Sequence, residues 1–246
     1  MAAPHRILFG FHAVGVRLQT APASVVEVHL DAARRDARMR QFAERARAAG
    51  VRLVDSDDAH LQRLAGTHRH QGVVARVEPL ARSASLDDTL DTAPGVPLLL
   101  GLDGITDPHN LGACLRVADG AGVQAVIAPK DHAVGIGATV AKVASGAAET
   151  VPYFMVTNLA RTLGELKERG IRVVGTAEDA PRSLYAADLR APTALVLGAE
   201  GSGLRRLTAQ TCDELVHLPM KGAVESLNVS VASGICLYEA LRQRGG

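Results

Sequence analysis

The sequence predicts an α/β protein in two parts: a small N-terminal α/β domain, and a C-terminal domain built on a parallel sheet. Three observations lead there. Apolar bursts of strand length alternate with helical patterns along most of the chain. In the second half these bursts are continuously apolar, as strands covered on both faces require. Between the halves, Pro79, Ala81-Arg-Ser-Ala-Ser85, Asp87-Asp88 and Thr92-Ala-Pro-Gly-Val-Pro97 offer little that could pack, which reads as a linker. The expected domains are 1–78 and 98–246, joined by 79–97.

In the N-terminal part, 24–30 is β-rich, and 35–50 is a run of strong helix formers closed by a Gly. A short strand follows at 51–54, then a helix beginning at 56–60 with Ser56 as its cap, then a strand at 72–77. In the C-terminal part, strands are expected at 98–102, 125–128, 153–156, 172–175, 193–197 and 214–218. Helices are expected at 111–122, 138–147, 159–169, 204–212 and 229–242. Ligands of such sheets sit beyond the carboxyl ends of the strands, so the chemistry belongs in the loops that follow them.

Composition narrows the classes. The chain of 246 residues is 47% hydrophobic with a net charge of only +1. The charge is uneven: residues 1–78 hold 12 Arg, no Lys and 8 acidic residues, against 15 basic and 18 acidic in 79–246. Such an excess fits a polyanion partner for the N-terminal part, or an ordinary solvated surface. Cys114, Cys212 and Cys236 form no C-x-x-C pair, so zinc and disulfide readings fail and a reducing, cytoplasmic setting is expected. The first residues lack a signal-like apolar run, and no stretch of about 18 apolar residues could span a membrane. Trp is absent and aromatics are 3%, which argues against a broad base-stacking platform.

Three post-strand loops carry the functional signal. In Asp103-Gly-Ile-Thr-Asp-Pro-His-Asn-Leu-Gly-Ala-Cys-Leu-Arg116, Asn110 can cap a helix beginning at Leu111, and Arg116 can reach a phosphate or a developing oxyanion. In Leu197-Gly-Ala-Glu-Gly-Ser-Gly-Leu204, three Gly surround Glu200, whose carboxylate needs a partner in Arg116 or in a substrate. In Leu218-Pro-Met-Lys-Gly-Ala-Val-Glu-Ser-Leu-Asn-Val-Ser230, Leu218 and Met220 could wall an apolar slot for adenine, while Asn228 and Ser230 supply hydrogen bonds. Taken singly, each loop is also readable as a cap or turn. The G-x-x-G-x-G order is not the G-x-G-x-x-G of a nicotinamide-dependent dehydrogenase, and no acidic residue follows at the required spacing.

Taken in order, the three blocks resemble the motifs of the SpoU family of SPOUT RNA 2′-O-ribose methyltransferases. The resemblance rests on Asn110 and Arg116, on Gly198, Glu200, Gly201 and Gly203, and on Ser226-Leu-Asn-Val-Ser230. Gly10-x-His12-Ala-Val14 and His70-Gln-Gly-Val-Val-Ala75 resemble that family's ribosomal-protein-like (L30e-like) substrate-binding domain. Asp107-Pro-His-Asn-Leu-Gly-Ala-Cys-Leu-Arg116 and Lys142-Val-Ala-Ser-Gly-Ala-Ala-Glu149 fit the members that methylate a guanosine in the peptidyl-transferase loop of 23S rRNA.

The resemblance implies a C-terminal α/β trefoil-knot domain, threaded near 195–230, and a homodimer. It implies S-adenosyl-L-methionine as cofactor and no metal. Thr176, Gly198, Leu218, Met220, Ser226 and Leu227 would form or border the cofactor pocket, and Asn110, Arg116, Glu200 and Asn228 would be catalytic. Guanidinium stays protonated, so Arg116 is assigned to stabilising the alkoxide or orienting a phosphate, with Asn110, Glu200 and Asn228 holding Arg116 and the ribose. A tRNA or another rRNA site, and a non-catalytic RNA-binding protein of the same fold, are the alternatives.

Overall fold

The structure, a computed structural model, describes residues 5–78 and 85–246. Residues 1–4, read above for a targeting signal, and residues 79–84 of the expected linker lie outside the described residues. The chain divides into two compact units, 1–82 and 83–246.

The first unit runs β1 (Arg6–Phe9), α1 (Phe11–Thr20), β2 (Val25–Asp31), α2 (Ala37–Ala48), β3 (Leu53–Ser56), α3 (Asp58–Ala65) and β4 (Val73–Val77). Its four strands lie in the order β1-β4-β2-β3, with β2 and β3 parallel and the other pairs antiparallel. Apolar residues at helical spacing on α1 (Phe11, Val14, Leu18) and α2 (Met39, Phe42, Ala46) pack over Val28, Val73 and Ala75 of the sheet. Phe11 meets Phe42 edge to face, with ring centroids 5.4 Å apart. The α3 cap is Asp57 rather than the expected Ser56: the Asp57 side chain accepts from the His60 N–H at 2.7 Å. Ser56 is the last residue of β3, and its hydroxyl is buried against His29 Nδ1 at 3.0 Å. The first strand and helix carry no strong turn signal between them and were not expected from periodicity.

The second unit opens with α4 (Leu86–Thr92), inside the segment expected to be a linker. Ser85 caps it, and Leu86 and Leu90 pack against the core of this unit, so residues 86–92 are a docked helix. There follow β5 (Leu98–Asp103), α5 (Pro108–Gly120), β6 (Ala125–Pro129), α6 (Ala138–Ala144), α7 (Ala147–Thr150), β7 (Tyr153–Val156), α8 (Leu159–Glu168) and β8 (Arg172–Thr176). Then come β9 (Arg182–Ser183), β10 (Thr193–Gly198), α9 (Arg206–Thr211), β11 (Glu214–His217) and α10 (Val229–Gln243).

The seven strands form one sheet in the order β7-β6-β5-β10-β8-β11-β9, with every neighbouring pair parallel. Alternate strand residues feed two cores. Leu98, Leu100, Leu102, Leu195 and Leu197 face α5 and α10 through Leu111, Leu115 and Leu237. Leu99, Ile127, Val173 and Val196 face α8 through Leu159, Leu163 and Leu166. Both faces are dry, which is why these strands read as unbroken apolar runs. The helix expected over 138–147 is broken: Ser145 adopts φ 53° and Gly146 φ 100°, which ends α6 and starts α7 in a new direction.

Candidate active site

Because the sheet is wholly parallel, the carboxyl ends of its central strands share one edge. Register places Gly198 of β10 beside Asp103 of β5, and Thr176 of β8 beside Val216 of β11. Gly198 and Thr176 therefore end two adjacent strands, and Leu218 directly follows the end of the third, β11. The three signal loops leave from this edge.

The first loop turns at Gly104 (φ 86°) and enters α5 earlier than expected. Asp107 is the cap, accepting from the His109 N–H at 2.8 Å, and Pro108 occupies the first turn, where its missing N–H costs nothing. That backbone hydrogen bond holds the Asp107 carboxyl below the usual carboxylate range. Asn110 consequently lies inside the helix, not at its cap, which releases its side chain for a partner elsewhere.

The partner is Glu200. The loop carrying it is folded tightly: Gly203 N–H bonds the Ala199 carbonyl at 2.9 Å, and Gly201 and Gly203 take φ 77° and 63°. A Cβ on Gly198 would sit 2.0 Å from the Gly203 carbonyl carbon, so β10 must end in glycine for the loop to close. At its far end the loop is pinned by Asp103, a carboxylate with a fully buried side chain that accepts from the Arg205 N–H at 2.9 Å and from its Nε at 2.6 Å.

Held this way, Glu200 Oε1 accepts three hydrogen bonds: from Asn110 Nδ2 at 3.2 Å, Asn228 Nδ2 at 2.6 Å and the Val229 N–H at 3.2 Å. Asn228 Nδ2 also donates to Asn110 Oδ1 at 2.9 Å, while Asn228 Oδ1 accepts from the Ser230 N–H at 3.0 Å as the cap of α10. The Glu200 carboxylate thus sits at the positive end of α10, where a negative charge is stabilised. All three loops meet in one polar cluster at the sheet edge.

Arg116 is not a member of that cluster. It is exposed on α5, and its Nη1 donates to Ser145 Oγ at 3.5 Å, a long bond. Of the two partners expected for Glu200, Arg116 or a substrate, Arg116 does not reach it, and the carboxylate bonds Asn110 and Asn228. Ser145 was not singled out from the sequence; it comes near because α6 packs tightly on α5 at Gly112, where a Cβ would lie 2.7 Å from Val143 Cβ. The pairing of Asp103 with Arg205 is not legible in the sequence either, since a contact across 102 residues has no local pattern.

The remaining expected positions are more open. Thr176 Oγ1 lies 3.5 Å from the Val196 carbonyl, Leu218 packs against the buried core, and Met220 and Leu227 are half-buried. Ser226 is exposed in the irregular stretch between β11 and α10. Half-buried aliphatic side chains and a free loop backbone beside a hydroxyl suit an adenosine: apolar walls for the base, hydrogen-bonding groups for its edge and ribose. Cys114, beside the cluster, is buried against Ser233, and burial pushes its thiol up to about 11. Among the described residues, no group of three or more His, Cys, Asp or Glu side chains is placed to hold a metal ion. No helix is long and apolar enough to cross a membrane among them.

A parallel α/β unit with Gly-rich and Asn-bearing loops converging at one sheet edge defines a class, the SPOUT-type RNA methyltransferases. Residues 97–238 match the model of the SpoU rRNA Methylase family, and residues 7–83 match a domain described as RNA 2′-O ribose methyltransferase substrate binding. The chain belongs to the SpoU rRNA methylase family. It is 63% identical over 239 residues to the 23S rRNA (guanosine-2′-O-)-methyltransferase of Ralstonia nicotianae, covering 97% of this chain and 96% of the relative. To the enzyme of that name from Bordetella pertussis it is 57% identical over 244 residues, covering 99% and 100%. Among solved structures it resembles an RNA 2′-O ribose methyltransferase, with a TM-score of 0.78 at 27% identity, over 99% of this chain and 90% of the other. It also shares its fold with the SpoU methyltransferase AviRb from Streptomyces viridochromogenes, solved in complex with AdoMet, with a TM-score of 0.76 at 24% identity over 99% and 92%.

Proposed function

We propose that this chain transfers the methyl group of S-adenosyl-L-methionine to a guanosine 2′-hydroxyl in 23S rRNA. The observation that carries the reading is the identity of 63% across nearly the whole chain to an enzyme of that activity, in a chain whose Asn110, Glu200 and Asn228 form one bonded cluster. When bound, the cofactor supplies an electrophilic methyl on a sulfonium, and no metal enters this reading.

The chain's own residues have three tasks. Leu218, Leu227 and Met220 hold the adenine, with Thr176, Gly198 and Ser226 at the border of the pocket. Asn110, Glu200 and Asn228 fix the mutual placement of α5, the Glu200 loop and α10, so that the 2′-hydroxyl meets the methyl in line. Arg116, permanently charged, stabilises the alkoxide or grips the adjacent phosphate, and is not the proton acceptor. Residues 1–78 select the RNA and residues 98–246 bind the cofactor. The active form is a homodimer, for which exposed Val231 and Tyr238 on α10 offer apolar surface. Work in the cytoplasm is part of the same reading, supported by the rRNA-modifying relatives and by three free cysteines.

The test is mass-spectrometric mapping of ribose methylation in rRNA and tRNA from a strain lacking the gene. Loss of one 2′-O-methylguanosine from 23S rRNA is expected; loss from tRNA alone overturns the substrate. Light scattering should report about twice the 25.7 kDa chain mass.

A further inference from the structure

The N-terminal unit contains a cavity of about 490 Å³ between α1 and α2. Beneath it the rings of Phe11 and Phe42 meet edge to face and belong to the buried core. One wall carries His12 and Gln19 from α1; the other carries Arg38, Gln41 and Arg45 from α2. The volume lies in the range of small-ligand sites and suits one nucleotide.

Charge decides what belongs there. The lining holds two arginines and no acidic residue. Neither Arg38 nor Arg45 makes an ion pair among the described residues. Arg38 instead lies over the Phe11 ring, 4.4 Å from its centroid. Arg34 lies over the same ring at 4.9 Å, but is committed to Asp36 and to the Gln71 carbonyl. Arg38 and Arg45 are seven residues apart, two turns of α2, or about 10.5 Å along its axis. That spacing lets them hold separate phosphates of one strand.

Gly15 explains why the groove is open. It sits inside α1 without a positive φ, so the backbone does not require glycine. A Cβ there would meet only Phe42, at an ordinary 3.9 Å. A helix interior prefers alanine to glycine. The missing side chain serves the space above it and not the packing below it.

We infer that this groove binds RNA: a single strand lies along it, Gln19 and Gln41 face the edge of one unpaired nucleobase, and Arg38 and Arg45 take the flanking phosphates. This rests on the reading of the chain as an RNA-modifying enzyme. Contact through guanidinium and amide groups, without stacking on an aromatic ring, accords with a chain so poor in aromatics. It places part of site selection in the α1–α2 groove of the N-terminal unit.

The experiment uses the full-length protein and a 23S rRNA transcript. Binding is measured over a range of salt, with methyl transfer, melting temperature and S-adenosylmethionine affinity read alongside. Gly15→Leu fills the groove without changing charge and is expected to weaken RNA binding at least tenfold. The double variant R38A/R45A is expected to weaken it similarly and to lower the salt slope by about two, one per phosphate contact. Gly15→Ala, which should melt no lower than wild type, gives a smaller loss and guards against misfolding of the leucine variant. Arg63→Ala removes one charge from the exposed face of α3 and is expected to cost only a few-fold. Cofactor affinity stays unchanged in all four. Wild-type RNA affinity in both Gly15→Leu and R38A/R45A overturns the groove inference while leaving the methyltransferase reading intact. Capture of a polyglutamate peptide that these variants abolish, with RNA binding unaltered, also overturns it and assigns the groove to an acidic protein. Failure of the wild type to methylate the transcript strikes the parent reading instead.

Discussion

Glu200 and Asn228, 28 residues apart, share a hydrogen bond of 2.6 Å at the start of α10. The same carboxylate oxygen accepts from Asn110 and from the Val229 N–H, so one atom ties three loops together.

Removing it should uncouple activity from folding. The side-chain amides of Asn110 and Asn228 can turn to water and only the Val229 N–H loses a fixed partner, so Glu200→Ala should cost about 1–2 kcal/mol of stability. Methyl transfer should fall by at least a hundredfold. Thermal melts beside single-turnover methylation separate the two. A loss of activity no larger than the loss of folded protein would reduce Glu200 to a helix cap.

Arg116→Ala should lower turnover by about 10²–10³-fold, the range for losing one donor to a developing oxyanion, with cofactor affinity unchanged. Arg116→Lys should recover little, because an ammonium lacks the planar fork. Ser145→Ala, which removes only a long hydrogen bond, should change turnover less than tenfold. Steady-state kinetics on the transcript decide, and a nearly normal Arg116→Ala variant would move the role elsewhere.

The glycines divide into two kinds. Gly198→Ala would place a methyl 2.0 Å from backbone, which cannot yield, so the Glu200 loop must open. Calorimetry should then show loss of cofactor binding. Gly112→Ala meets Val143 Cβ at 2.7 Å and the Val140 carbonyl oxygen at 3.0 Å, so α6 must shift, at a cost of about 1–3 kcal/mol. Urea titration should detect that cost, while residual cofactor binding persists.

The three thiols should be inert. Burial pushes Cys114 and Cys212 up to about 11 and Cys236 up to about 12. Native protein at pH 8 should react negligibly with a disulfide reagent, and three thiols should appear on unfolding. Since these groups ionise more readily when unfolded, their neutrality stabilises the fold below pH about 9, and that contribution is lost as pH rises from 9 towards 11–12. A Cys236→Ala variant should show a shallower alkaline decline in urea midpoint than the wild type.

Legibility followed the range of the interactions. The strands β5, β6, β8 and β10 announced themselves because both of their faces are dry, and β7 and β11, half-buried, by their short apolar runs; β9 did not, being two residues long and set by its pairing to β11 alone. The helix α4 hid in a polar stretch, because only Leu86 and Leu90 tie it to the core. The start of α5 was read three residues late, since Asn110 competes as a cap on paper, whereas Asp107 and Pro108 do the capping in three dimensions. The residues of the polar cluster were visible as motif positions, but their bonding was not. Nothing local tells Glu200 to choose Asn110 and Asn228 over Arg116, and Ser145 becomes relevant only once α6 packs on α5 and breaks.

The loop from Gly198 to Arg205 is closed at both ends, by glycine-tight packing at one and by the buried Asp103 carboxylate at the other. Surface loops ordinarily absorb insertions and deletions. This one has no slack. One residue more would carry Arg205 off a carboxylate that cannot stay buried alone, and one fewer would pull Glu200 away from α10. Its length is as much a determinant as its composition, and natural variation in this segment should proceed by substitution only.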